Sequence, residues 1–519
     1  MRRALFLALF LAAAPARAEW WEAKTEHFIV DSQSSAEDAK AFATRLERFD
    51  MALRSMQNTR FAPITSDSQR LTVFRFGKID DIGRLAGSEG IAGFYIPRLG
   101  GSVAFTPARN EIPERSLIRR DSRTDLDPQS VLFHEYTHHF MFQNFSAAYP
   151  SWYVEGFAET AATIDLHPDG SFHVGNPPQY RSDMLLNGGM LVSASNMLTN
   201  TDKPDFFDVY GHYTVGWLLN HYLSFDPSRP GQLTTYLRLI NSGTDAAVAA
   251  RQAFGDLRKL DSDLIHYIAR GKLGGADVRP ANYVPPTVVL RRLSADEEAV
   301  MWVKIRSKRG VTHKSAPNVA SDARAVVAKF PHSFPVQLAA SEAELDAEHF
   351  TEAEALADQA LALAPNSVEA LLFKGRILLE RAKNDPGQLA AARPWFAKAY
   401  AADPKHPGPL YYNYLTYYRA GGTIPESALI GLERAFGYAP FDAELREVLA
   451  RQLLTEKKGD LARTVLLPLA VSPHESKLAK KMREVVDLIA AQKVDAAYTM
   501  LAAEMVEQER KRKAGEDGE

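Results

Sequence analysis

Between Trp20 and about Gly100, short apolar runs alternate with one long amphipathic segment. His27-Phe28-Ile29-Val30 reads as a strand, and Phe42, Leu46, Phe49 and Leu53 recur at helical spacing within Ala36 to Met56. Leu71-Thr72-Val73-Phe74-Arg75-Phe76 is rich in β-branched and aromatic residues and predicts a second strand. Gly93 to Ile96 and Ser102 to Phe105, separated by Pro97-Arg98-Leu99-Gly100-Gly101, predict a hairpin. Asp127-Pro128 then opens a helix, with Asp as cap and Pro at the first position, where its missing N–H costs nothing. Val131, Leu132, Tyr136 and Phe140 form its buried side. A second helix follows the turn at Tyr149-Pro150, then an irregular stretch from His167 to Asn200, then helices from Asp208 to about Gly271. Pro280, Pro285 and Pro286 mark residues 274–330 as a linker with one strand, Thr287 to Leu290, and a small helix near Asp296 to Val303. The basic run from Lys304 to Lys314 is expected to be a solvated face.

The C-terminal third is periodic. Ala353, Ala357 and Ala360 precede Pro365; Ala392, Phe396 and Ala399 precede Pro404; Ala428 and Ala435 precede Pro440; a degenerate copy ends at Pro473. Small residues let paired helices approach closely, and a proline ends the second helix of each pair. The interval, close to 34 residues, resembles that of tetratricopeptide (TPR) repeats, with Gly375 at the first-helix glycine. The tryptophan usual in that family is missing. The resemblance implies an all-α TPR solenoid over 331–475 whose groove binds a peptide or protein partner, or else a support for the rest of the chain. Residues 476–519 predict one capping helix, Ser476 to about Glu509, and a disordered charged tail from Glu507.

The candidate chemistry lies on the two central helices. His134-Glu135-Tyr136-Thr137-His138 places two imidazoles on one helical face, with Glu135 about 100° round the axis. In Ser151-Trp152-Tyr153-Val154-Glu155-Gly156-Phe157-Ala158-Glu159-Thr160, Glu155 and Glu159 are likewise one turn apart. An antiparallel helix pair brings Glu155 opposite the imidazoles, and Glu159 within reach of a ligand histidine, whose tautomer it would fix. His139 points off the 134/138 face and is expected to support a ligand or to sit at the core edge rather than to be a ligand, and His212 and His221 are expected to pack.

These two segments resemble the gluzincin group of zinc metallopeptidases, in the peptidase-MA-like superfamily. The resemblance, together with the helix geometry, makes Glu155 the third ligand after His134 and His138, and implies one zinc ion with Glu135 as general base. Tyr213-Thr214-Val215-Gly216 is similar to the Tyr-x-x-Gly segment of gluzincin aminopeptidases, which implies Tyr213 as oxyanion donor; Tyr210 and His212 compete for that role. Gly100 to Phe105 lacks the acidic group of the aminopeptidase Gly-x-Met-Glu-Asn motif, so internal cleavage is expected. In such enzymes a sheet edge pairs with extended substrate; either hairpin strand could serve, or neither.

Composition sets the compartment. Met1-Arg2-Arg3, a short apolar core and Ala16-Arg17-Ala18 form a signal-peptide pattern over 1–18, too short to span a membrane. With no cysteine, the chain enters an oxidising compartment without disulfides or a lipid anchor, as a periplasmic or secreted bacterial protein would. The balance of 61 basic and 64 acidic residues makes no electrostatic case for nucleic acid or an anionic membrane. The expected fold class is α+β: a zincin-like domain over 19–273, with an N-terminal mixed sheet and a helical metal-binding half, followed by the solenoid. The expected function is an exported zinc-dependent endopeptidase acting on proteins or peptides. The rivals are a non-catalytic TPR adaptor and a hydrolase of non-peptide amides.

Overall fold

A computed structural model describes residues 19–57, 63–77, 79–87, 93–108, 128–145, 149–181, 193–199, 206–271, 273–471 and 477–514. The expected signal peptide, the Asp127 cap and Pro473 lie outside them, as does much of the irregular 167–200 stretch. The chain is α+β, with a mixed sheet near the N-terminus and a helical C-terminal region.

The main sheet comprises β1 (Trp21–Lys24), β2 (Phe28–Ser32), β3 (Leu71–Phe76), β4 (Phe94–Ile96), β5 (Val103–Pro107) and β9 (Val289–Arg292), in the order β4-β5-β3-β2-β1-β9. Strands β2, β3 and β5 run parallel, and β4 forms the expected antiparallel hairpin with β5. A three-stranded sheet joins β6 (Asp165–Leu166), β7 (Phe172–Val174) and β8 (Ala276–Val278).

Both faces of the main sheet are covered, which explains why β3 is a nearly continuous apolar run. Leu71 and Val73 face α1 (Ala36–Gln57). Phe74 and Phe76 face the opposite side, where Ile82 of α2 (Ile79–Ala86) joins the core. The metal helix of the sequence reading, α3 (Pro128–Asn144), lies on the α1 side: Phe133 stacks on Phe49 at 3.9 Å between centroids, and Tyr136 donates to Asp50 at 2.7 Å. Then come α4 (Ser151–Ala162), α5 (Ala194–Thr199), α6 (Phe206–Phe225), α7 (Gln232–Asn241), α8 (Ala246–Phe254) and α9 (Leu257–Ala269), with Trp152, Trp217 and Leu260 in their shared core.

Residues 274–330, expected as a linker, are instead built into both sheets. Ala276–Val278 completes the small sheet, and Val289–Arg292 pairs antiparallel with β1. Helix α10 (Ala295–Arg309) covers the back of the main sheet through Met301 and Ile305. The basic run is not merely a solvated face either: Lys304 pairs with buried Asp31 at 2.8 Å, and Lys308 with Glu342 at 2.9 Å.

The helical array continues through α11 (Ala316–Val327), α12 (Phe334–Asp346), α13 (Phe350–Leu363), α14 (Val368–Arg381), α15 (Gln388–Ala402), α16 (Pro407–Ala420), α17 (Glu426–Tyr438), α18 (Ala443–Thr455) and α19 (Gly459–Ala470). The repeat alanines are buried between neighbouring helices, and α13, α15 and α17 each stop two residues before Pro365, Pro404 and Pro440. Gly375 is needed for contact: a Cβ there would lie 2.4 Å from the Phe396 ring. The expected single capping helix is two, α20 (Lys477–Ala490) and α21 (Val494–Ala514), turning at Gln492 with φ 59°. Leu501 of α21 is buried in the array, and the helix extends well into the segment expected to be disordered. Among the described residues, no helix is long and apolar enough to cross a membrane.

Candidate metal centre

Helices α3 and α4 bring three expected ligands together. His134 Nε2 and His138 Nε2 are 3.0 Å apart, and Glu155 Oε2 lies 3.1 Å from the first and 3.6 Å from the second. A tetrahedral ion with N and O ligands at about 2.0–2.1 Å separates its donors by roughly 3.3 Å, so this triangle suits one small divalent cation. All three side chains are buried. The Glu155 carboxylate is 1% exposed, yet neither oxygen makes a well-directed hydrogen bond within the protein. Such an orphaned carboxylate marks a place for a further ligand.

Electrostatics points the same way. Burial disfavours a charged His134, but contact with Glu155 and the charges of Glu155, Glu159 and Glu135 outweigh it and push the imidazole up to about 9. Burial would raise the Glu155 carboxyl, but the charge of His138 and contact with both imidazoles hold it well below the usual range. The pocket therefore attracts positive charge, whether a proton or a metal ion.

The surrounding residues orient this set. Glu159 Oε1 lies 3.7 Å from His134 Nδ1, and Glu159 Oε2 accepts from Tyr180 Oη at 2.5 Å. Glu135 is half-buried on the same helix as the histidines, near enough to act on His134 and Tyr95. The Tyr213 ring, on α6, sits 5.8 Å from the His134 ring. The side chains of Tyr210 and His212 lie outside the described residues. His139 is buried, with Nδ1 at 2.7 Å from Tyr95 Oη; burial pushes it down to about 4, so it stays neutral at the core edge. His221 packs away from the centre, between the Tyr267 hydroxyl and the Gly175 carbonyl.

Tyr180 and Tyr95 were not anticipated, because their partners are distant in sequence or in an irregular segment. Two glycines were also missed as a pair: Gly156 of α4 and Gly216 of α6 meet where these helices cross. Asn220, one turn along, bonds Thr160 at 2.9 Å and reinforces the crossing. Of the hairpin strands, β5 is paired on both sides, so β4 alone has an open edge among the described residues. No protein-family model matches the chain, and no curated protein is found similar to it.

Proposed function

We propose that this chain is an exported zinc-dependent endopeptidase of gluzincin type, with a zincin-like N-terminal part and a TPR-like helical array. The observation that carries this reading is the convergence of His134, His138 and Glu155 on one buried point, with Glu135 on the same helix acting on His134 and Glu159 behind His134.

Bound at this point, zinc would polarise a scissile carbonyl and lower the pKa of water towards about 7. Glu135 then takes the proton of the attacking water and passes it to the leaving amine. Tyr213 donates a hydrogen bond to the oxygen that becomes negative as the carbonyl carbon turns tetrahedral. Glu159, 3.7 Å from His134 Nδ1, would favour the tautomer with its proton on Nδ1 and so leave Nε2 free to hold the metal. The edge of β4, unpaired among the described residues, would offer backbone groups to an extended peptide, a mode with little side-chain selectivity.

The test joins zinc analysis with cleavage of an unfolded protein such as casein. The purified chain should bind one zinc and cleave, and Glu135→Gln should keep the zinc and lose about two orders of magnitude or more in kcat. A fully active Glu135→Gln enzyme would sink this assignment.

A further inference from the structure

The tip of the β4–β5 hairpin is seated in the helical array. Leu99 is buried in the same apolar cluster as Tyr411, Tyr414 and Leu445, and its backbone favours the charged form of the Asp442 carboxylate. The Arg98 guanidinium beside it acts on Asp442 and also on Glu342 and Asp346 of α12. Asp442 caps α18, accepting from Leu445 N at 2.8 Å. Its neighbour Phe441 packs on His139 at 4.9 Å between ring centroids. Tyr95 closes the circuit, since its hydroxyl lies 2.7 Å from His139 Nδ1 and 3.1 Å from Ser102 Oγ. One point in the array, Phe441-Asp442, thus holds both the hairpin tip and the helix that carries the metal ligands.

We propose that this anchor sets the position of strand β4 relative to the metal helix, with Leu99, Phe441 and Asp442 as positioning residues for peptide substrate. A three-residue strand with one paired edge has little stability of its own, so its placement depends on what holds its ends. The substrate part of this proposal rests on the peptidase reading; the structural coupling does not.

The experiment uses the full chain and the variant Leu99→Ala. Amide exchange of residues 93–105, followed by mass spectrometry, should speed up on the order of tenfold, while exchange in α20 and α21 is unchanged. KM for an extended peptide should rise about threefold or more, with kcat and zinc content kept. Leu99→Val, which trims the same buried side chain by one methylene, should shift both readouts the same way to a smaller extent and replaces Leu99→Ala if that variant does not fold. Unchanged exchange overturns the anchor. Faster exchange with unchanged KM overturns the positioning role and leaves a packing contact. A wild-type chain that cleaves nothing defeats the peptidase reading, and the exchange result still decides the coupling.

Discussion

Gly156 and Gly216 meet so closely that a Cβ on Gly156 would lie 2.3 Å from the Gly216 carbonyl oxygen. In the other direction, a Cβ on Gly216 would lie 2.6 Å from the Trp152 carbonyl oxygen. Glu155 adjoins the first glycine, and Tyr213 is one turn before the second on the same helical side. The crossing therefore brings a ligand helix and the tyrosine-bearing helix together at backbone distance. Alanine is the better helix former by about 1 kcal/mol, but here the clash is with backbone and cannot be relieved by a rotamer change. Gly156→Ala should destabilise the protein by about 1–3 kcal/mol in urea unfolding and weaken zinc binding. A variant as stable as the parent would show that the helices do not approach this closely.

Glu159 is buried behind His134 and bonded by Tyr180. Exchanging its charge for an amide leaves the shape and removes the attraction for the imidazole N–H. Glu159→Gln should cost about 10–100-fold in zinc affinity, measured by competition with a chromogenic chelator. An unchanged affinity would reduce Glu159 to a buried structural acid.

Tyr213 stands beside His134 on a separate helix. If its hydroxyl meets charge that exists only during reaction, Tyr213→Phe should lower kcat about 100-fold or more with little change in KM or zinc content. Equal loss in KM alone would assign the ring to substrate contact instead.

Burial pushes the Asp442 carboxyl up to about 6, despite the bond from Leu445 N and the opposing influence of the Leu99 backbone and the Arg98 charge; Glu444 adds repulsion. A folded pKa above the unfolded value of about 3.9 means the folded state holds this proton more tightly. The resulting stability is complete below about pH 4 and is lost as pH rises through about 6. Asp442→Asn should therefore gain on the parent between pH 4 and pH 7, by on the order of 1–3 kcal/mol, in urea titrations at the two pH values. A difference independent of pH would mean the carboxyl ionises as freely as in the unfolded chain.

The His134–His138–Glu155 group that could hold a metal ion was legible in the sequence because its geometry is local: one helical turn separates His134 from His138, and another separates Glu155 from Glu159. The α+β class, the hairpin and the helix ends before Pro365, Pro404 and Pro440 were legible for the same reason, since turns and period are written in neighbouring residues. What escaped depends on distant pairing. Lys304 looks like one member of a solvated basic run until Asp31, far earlier in the chain, takes it as a partner. The strand expected at Thr287 to Leu290 reads as part of a linker because only β1, which pairs with Val289–Arg292, defines its neighbour and its bounds. The break at Gln492 carries no glycine or proline to announce it, and a side chain at positive φ is uncommon enough to defy expectation.

The late arrival of β9 and α10 has a consequence for biogenesis. The first sheet stays unfinished until the stretch ending near residue 309 has been made, with β1 as a bare rim and the Phe74–Phe76 side covered by α2 but not yet by Met301 and Ile305. A nascent chain halted at residue 273 would thus present sticky, unpaired backbone rather than an independent unit. Maturation must wait for more than half of the polypeptide, so the front half is not completed stepwise on its own.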